Sequence, residues 1–172
     1  ISHATHIFNA MSSFHHRNPG VVGAVFNSDI TCDLIADTIH VHPDNFDLLL
    51  DIKGQNKVNL ITDSMRAGCM KNGNYELGGQ KVTVKNGSAR LDDGTLAGSI
   101  LTLNKAVRNF AEHSSLELID GIKLATLNPA SVLGINDVKG SIEQGKDADI
   151  TIFDDQLDVK TTIVEGKVVY NN

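Results

Sequence analysis

Three short apolar runs in this chain each end on a residue able to bind a metal, move a proton or hold an anion. They are Thr5-His6-Ile7-Phe8-Asn9-Ala10-Met11, Leu34-Ile35-Ala36-Asp37-Thr38-Ile39-His40 and Val58-Asn59-Leu60-Ile61-Thr62-Asp63-Ser64. Residues 4 to 8, 30 to 36 and 58 to 62 are accordingly predicted as strands. Val21 to Phe26, apolar with small residues, suits a close-packed helix or turn. His42-Pro43-Asp44 opens a helix carrying Phe46, Leu48, Leu49, Leu50 and Ile52 and stopping at Gly54. The strand–helix–strand spacing fits right-handed βαβ crossovers, and strands that end in polar residues place a site at the carboxyl edge of a parallel sheet.

After Asp63 the period changes. Lys81-Val82-Thr83-Val84-Lys85 alternates with period two, and Asn86-Gly87 gives a tight turn, so a β-hairpin excursion is predicted near residues 75–91. Leu96-Ala97-Gly98-Ser99 reads as a small-residue loop opening a helix with the stripe Leu101, Leu103, Ala106, Val107 and Phe110. A second helix is expected from about Leu116 to Leu127, and a short third one starting at Pro129. Ile150 to Phe153, Val159 to Val164 and Lys167 to Tyr170 then read as strands of a small β lobe.

Composition narrows the function. A net charge of -6 with no basic run removes the electrostatic case for nucleic acid or an acidic membrane. No apolar stretch approaches the roughly 20 residues of a membrane helix. Cys32 and Cys69 are too few for a disulfide framework and read as reduced thiols of a cytoplasmic protein. The chain opens on Ile1-Ser2-His3, so the absence of a targeting signal says nothing of a longer parent.

On residue type alone, a strand-end imidazole such as His6 is more often a hydrogen-bonded structural group than a metal ligand. Asp63 followed by Ser64 reads as an acid/base or as a turn cap. Arg17, in the loop Ser12 to Gly20, is a phosphate-binding fork or a solvated side chain, and His15, His16 and His42 read as exposed. The Asp92-Asp93 pair is read as turn chemistry.

Taken in order, several segments resemble the N-acetylglucosamine-6-phosphate deacetylase family of the amidohydrolase superfamily. They are Ala4-Thr5-His6-Ile7-Phe8-Asn9-Ala10-Met11, His16-Arg17-Asn18-Pro19-Gly20, Ile35-Ala36-Asp37-Thr38-Ile39-His40, Ile61-Thr62-Asp63-Ser64, Asp93-Gly94-Thr95-Leu96-Ala97-Gly98-Ser99 and Gly145-Lys146-Asp147-Ala148-Asp149-Ile150. The resemblance runs from about His3 to Val169. It implies an α/β fold: the C-terminal part of a (β/α)8 TIM barrel, strands six to eight, over residues 1–138, and part of a small β-sandwich lobe over 139–172. A complete barrel takes about 250 residues.

The resemblance also implies roles. His6 is a ligand of a divalent metal ion, zinc or iron, whose other glutamate and histidine ligands lie on earlier strands. Asp63 is the catalytic acid/base, taking a proton from water and delivering one to the leaving amine. Asn9 and the amide of Ala10 hold the phosphate, His40 contacts the sugar or its phosphate, and Leu96, Ala97, Gly98 and Ser99 contact substrate. Arg17 reaches the phosphate in the neighbouring subunit of a homodimer. The implied reaction deacetylates N-acetylglucosamine 6-phosphate, with this chain alone expected to be inactive. The alternatives are another amidohydrolase, dihydroorotase-like or acting on acylated amino acids, or a non-catalytic sugar-phosphate-binding remnant.

Overall fold

A computed structural model describes all residues, 1–172. Three parallel strands, β1 (His3–Ala4), β2 (Thr31–Ile35) and β3 (Val58–Ile61), pair in the order β1-β2-β3. Two crossovers join them, through α1 (Gly20–Phe26) and α2 (Asp44–Lys53). All three therefore run the same way, and their carboxyl ends share one edge.

The register explains which residues face the helices. Ala4 pairs with Cys32, Cys32 with Val58 and Leu34 with Leu60, so an apolar row crosses the sheet on one face. Cys32, Leu34, Val58 and Leu60 are buried there with Val22, Val25, Phe46, Leu49 and Phe110. Phe46 of α2 stacks on Phe110 of α3 (Leu103–His113) with centroids 5.3 Å apart. α4 (Leu118–Ala125) and α5 (Leu127–Val132) continue along β3, where Asn128 donates to the carbonyls of Gln55 and Val58 at 2.7 and 2.8 Å. Lys53 is buried, yet its ammonium donates to the carbonyls of Val25 and Ser28 at 2.8 and 2.6 Å. It thus satisfies the carboxyl end of α1, where a cation is favoured.

The opposite face carries a polar row beside the apolar pair Ile35 and Ile61. Asp33 sits mid-strand, with Oδ2 2.9 Å from His3 Nε2 and Oδ1 accepting from Asn59 Nδ2 at 3.1 Å. His3 Nδ1 lies 2.7 Å from Thr31 Oγ1. One carboxylate thus ties β1, β2 and β3 together across the sheet.

Two antiparallel sheets follow. β4 (Gly73–Leu77), β5 (Gln80–Lys85) and β6 (Ser88–Arg90) form a three-stranded meander, one strand more than the hairpin expected near 75–91. Gly78 and Gly79, both at positive φ, make the additional turn. β7 (Ile150–Phe153), β8 (Val159–Val164) and β9 (Lys167–Asn171) form the C-terminal sheet. Lys139 pairs with Asp147 and Asp149 and pins the turn leading into it.

Some boundaries differ from the sequence expectation. The first strand covers only His3–Ala4, because His6 has φ 30° and leaves the extended region. Leu101 precedes α3 rather than belonging to it, and Pro129 occupies the third position of α5 rather than its start. A proline inside the first turn donates nothing that the turn could use, so helix formation is undisturbed.

Replacing Asp33 with alanine leaves buried Asn59 without its acceptor, and about 1–3 kcal/mol of stability should be lost. Urea unfolding checks this; a loss below about 0.5 kcal/mol would place Asp33 among ordinary surface positions.

Candidate functional site

Each parallel strand is followed by a non-glycine residue in the left-handed region. His6 (φ 30°), Phe8 (75°) and Ala10 (54°) follow β1, Thr38 (64°) follows β2, and Asp63 (45°) follows β3. Such residues cost on the order of 1–3 kcal/mol each and persist where the surroundings hold them; they cluster at functional sites. Here hydrogen bonds hold them. The amide of Ile7 donates to the carbonyl of Asp33 at 2.8 Å, carrying β1–β2 pairing past the kink. Asn9 N donates to the His6 carbonyl at 3.0 Å, and Asn9 Nδ2 to the Ile7 carbonyl at 3.1 Å.

His6 Nδ1 is buried without a hydrogen-bond partner. An imidazole nitrogen sealed from water without a partner is costly for a structural histidine and suits one that donates its lone pair to a ligand. No three His, Cys, Asp or Glu side chains converge in the chain, so His6 is a single donor rather than part of a closed cage. The neighbouring His3, by contrast, has both ring nitrogens engaged, by Asp33 and Thr31.

After β2, Asp37 organises the turn. Its Oδ1 accepts from the amides of Ile39 and His40 at 2.9 and 2.8 Å, and its Oδ2 lies 2.6 Å from His40 Nδ1. Burial pushes the Asp37 carboxyl up, but the His40 ring and the two amides together outweigh it and hold it below its ordinary 3.8. Asn109 of α3 donates to the carbonyl of Ala36 at 2.9 Å and fixes the strand end from behind.

After β3, Asp63 is exposed, and the segment predicted as substrate-contacting is stitched to it. Ser99 N donates to the Asp63 carbonyl at 3.0 Å, Met65 N to the Ser99 carbonyl at 2.9 Å, and Ser99 Oγ to the Thr62 carbonyl. Behind this junction Met65, Ala67 and Ala97 share a small core with Val82, Val84 and Ala89 of the meander. The meander is therefore the buttress of the Asp63 loop, a role that the alternation of residues 81 to 85 does not reveal.

The chain thus gathers His6, Asn9 and Ala10 in one turn, His40 in the next, and Asp63 with Leu96–Ser99 in the third, all at the carboxyl edge. Arg17 is not drawn in. It is exposed, with Nη1 2.8 Å from His16 Nε2, and the His15 and His16 rings lie 4.3 Å apart, tilted by 35°. Asp37 and Asn109 went unread as site residues. The i, i+3 spacing of Asp37 and His40 is the one local signal that could have pointed to Asp37. Of the cysteines, burial pushes the Cys32 thiol up to about 11, which leaves it inert, and Asp93 receives the amide of Thr95 at 2.9 Å as turn chemistry. A cavity of about 430 Å³ beside Arg108 and Asp155, and one of about 280 Å³ between α3, α4 and the C-terminal sheet, include none of the strand-end residues.

An α/β chain with polar residues gathered at the carboxyl edge of a parallel sheet has the layout of an α/β enzyme, whose site sits at that edge. The chain belongs to the amidohydrolase family, whose sequence profile matches residues 1–169. It is 48% identical over 170 residues to the N-acetylglucosamine-6-phosphate deacetylase of Bacillus subtilis, covering 98% of this chain and 43% of that protein. The chain thus spans less than half of that relative. A putative N-acetylgalactosamine-6-phosphate deacetylase of Escherichia coli K12 is 38% identical, with 95% of this chain matched to 98% of that one. Among solved structures, the N-acetylglucosamine-6-phosphate deacetylase of Pasteurella multocida superposes with a TM-score of 0.94 at 34% identity, covering 99% of this chain and 45% of that one. A Mycobacterium smegmatis mutant in complex with N-acetyl-D-glucosamine-6-phosphate superposes at 0.90 with 32% identity, covering 98% and 46%. Family membership implies a divalent metal ion, and the unpartnered Nδ1 of His6 fits one donor position for it. No helix is long and apolar enough to cross a membrane.

Gly98, at φ 70°, would bring a Cβ to 3.2 Å from Met65 Cβ and 3.6 Å from the Asp63 carbonyl. Gly98→Ala should therefore cost about 1–2 kcal/mol in thermal or chemical unfolding, and an unchanged midpoint would contradict this packing. The lowered Asp37 carboxyl has a signed pH consequence. Its contribution to stability is full above pH 3.8 and lost as pH falls through the lower folded value. The stability gap between the wild type and Asp37→Ala should narrow below pH 3.8, as urea titrations at stepped pH would show.

Proposed function

We propose that this chain forms the catalytic edge of an N-acetylglucosamine-6-phosphate deacetylase, which releases acetate and glucosamine 6-phosphate. The observation that carries the reading is the delivery of His6, His40 and Asp63 to one edge by three adjacent parallel strands. In this reading β1 to β3 are barrel strands six to eight, residues 1–138 are the barrel portion, and 139–172 belong to a small β lobe. The whole-chain superposition on solved deacetylases supports it.

His6 would hold the divalent ion, zinc or iron by its imidazole donor, together with donors from the remaining barrel strands. When bound, the ion polarises the amide carbonyl and lowers the pKa of water. Asp63, exposed at the strand end, takes the proton from the attacking water and returns one to the leaving nitrogen. Asn9 and the Ala10 amide bind phosphate in the turn that His6 begins. His40 binds the sugar, and Leu96 to Ser99 line it with backbone close to Asp63. Arg17 is exposed and its guanidinium touches only His16, which suits a fork that reaches the phosphate of a partner subunit in a cytoplasmic homodimer. The Escherichia coli relative favours a second reading, the galacto epimer as substrate.

A chimera in which this chain replaces the matching 43% of the Bacillus subtilis relative tests the substrate. It should release acetate from N-acetylglucosamine 6-phosphate faster than from the galacto epimer, and far faster than from unphosphorylated N-acetylglucosamine. Arg17→Ala should raise KM for the phosphorylated sugar about 10–100-fold, the value of a charge-assisted bidentate contact. Preference for the galacto sugar would establish the second reading, and indifference to phosphate would overturn both.

A further inference from the structure

We infer that Asp37 is a positioning residue for the reaction, fixing the tautomer and direction of His40 so that Nε2 is the ring nitrogen presented to the sugar. The inference deepens the proposed function and rests on it. Asp37 and His40 are both buried at the side chain, 9% and 7% exposed, with 2.6 Å between Oδ2 and Nδ1. The carboxylate has no hydrogen to give, so in neutral His40 the proton of this short contact resides on Nδ1. The other carboxylate oxygen accepts from the amides of Ile39 and His40, and Thr38, between Asp37 and Ile39, is left-handed, so the turn closes on the carboxylate. Asn109 anchors the same strand end through the Ala36 carbonyl. The ring is thus held from its Nδ1 side, and Nε2 carries a lone pair. A lone pair reads a hydrogen-bond donor: a hydroxyl or the amide N–H of an acylated amino sugar. It does not read phosphate oxygens or the acetyl carbonyl, which are acceptors.

Asparagine at position 37 separates positioning from mere support. Its Oδ1 keeps both backbone amides, while its amide nitrogen takes the place of Oδ2 and donates to Nδ1. The turn survives, and the neutral ring is forced into the Nε2–H form, which offers the sugar a donor where it needs an acceptor.

The test has two readouts. Long-range ¹H–¹⁵N spectra of the histidine-labelled full chain, above the ring's titration, should show His40 as Nδ1–H in the wild type and Nε2–H in Asp37→Asn. In the chimera, Asp37→Asn should lower kcat/KM for N-acetylglucosamine 6-phosphate at least tenfold, while the unfolding midpoint stays near that of the wild type. The fold-loss should be the same for the unphosphorylated sugar. A wild-type Nε2–H tautomer, or a tautomer unchanged by Asp37→Asn, overturns the inference. So does a tautomer flip with kcat/KM within twofold, or a loss confined to the phosphorylated sugar. A wild-type chimera that turns over no amino sugar phosphate overturns the proposed function and the catalytic half of this inference, while the spectra still decide the tautomer.

Discussion

Left-handed backbone at the ends of three parallel strands is the constraint on which the rest of the structure depends. A strand that ran straight out of the sheet would send alternate side chains to opposite faces and leave its last polar residue at an arbitrary height. His6, Thr38 and Asp63 break that alternation at the same edge. The cost is on the order of 1–3 kcal/mol per residue, far above that of a glycine in the same place. In two of the three positions the strained residue, His6 or Asp63, carries a side chain able to hold a metal ion or move a proton.

The strain is distributed over supports that lie outside the sheet. The first turn leans on β2 through the Ile7 amide and the Asp33 carbonyl, and β2 is tied in turn to β1 and β3 by the Asp33 carboxylate. The second turn is closed by Asp37 and braced from α3 by Asn109. The third is held by the Ser99 segment, which the meander packs from behind through Val82, Val84 and Ala89. An excursion that looks peripheral in the chain order is thereby part of the site's foundation. The apolar face beneath has a separate task. Phe46, Phe110, Leu34 and Val58 hold sheet and helices together on the face away from the Asp33 row.

Much of this was legible in the sequence, for identifiable reasons. Residues 31 to 35 and 58 to 61 are short apolar runs with polar ends, so their strands and the adjoining site residues could be placed without coordinates. The Asn86-Gly87 turn announced its hairpin. The first strand was overextended because Ile7 and Phe8 are apolar, and burial of Ile7 in a kinked turn looks the same in sequence as burial in a strand. The preceding strand Gly73–Leu77 lacked a strong apolar alternation, since its residues are mostly exposed. Asp37 was passed over because a carboxylate that serves a neighbouring histidine is indistinguishable from a turn former until the 2.6 Å contact is seen. Asn109 and the meander's support of Ala97 are long-range contacts, invisible to any local pattern. The roles of the individual site residues came from a resemblance; the fold supplies their common edge.

The proposed catalytic edge stands or falls with Asp63 as its acid/base. Acetate release from N-acetylglucosamine 6-phosphate by the chimera, with Asp63 intact and as Asp63→Asn, tests it most directly when metal content is measured in the same samples. Equal metal and a rate lower by about 10²–10⁴ in the variant are expected, the usual worth of a positioned acid/base. A variant that keeps its metal and turns over within a few-fold of the intact chimera would contradict it.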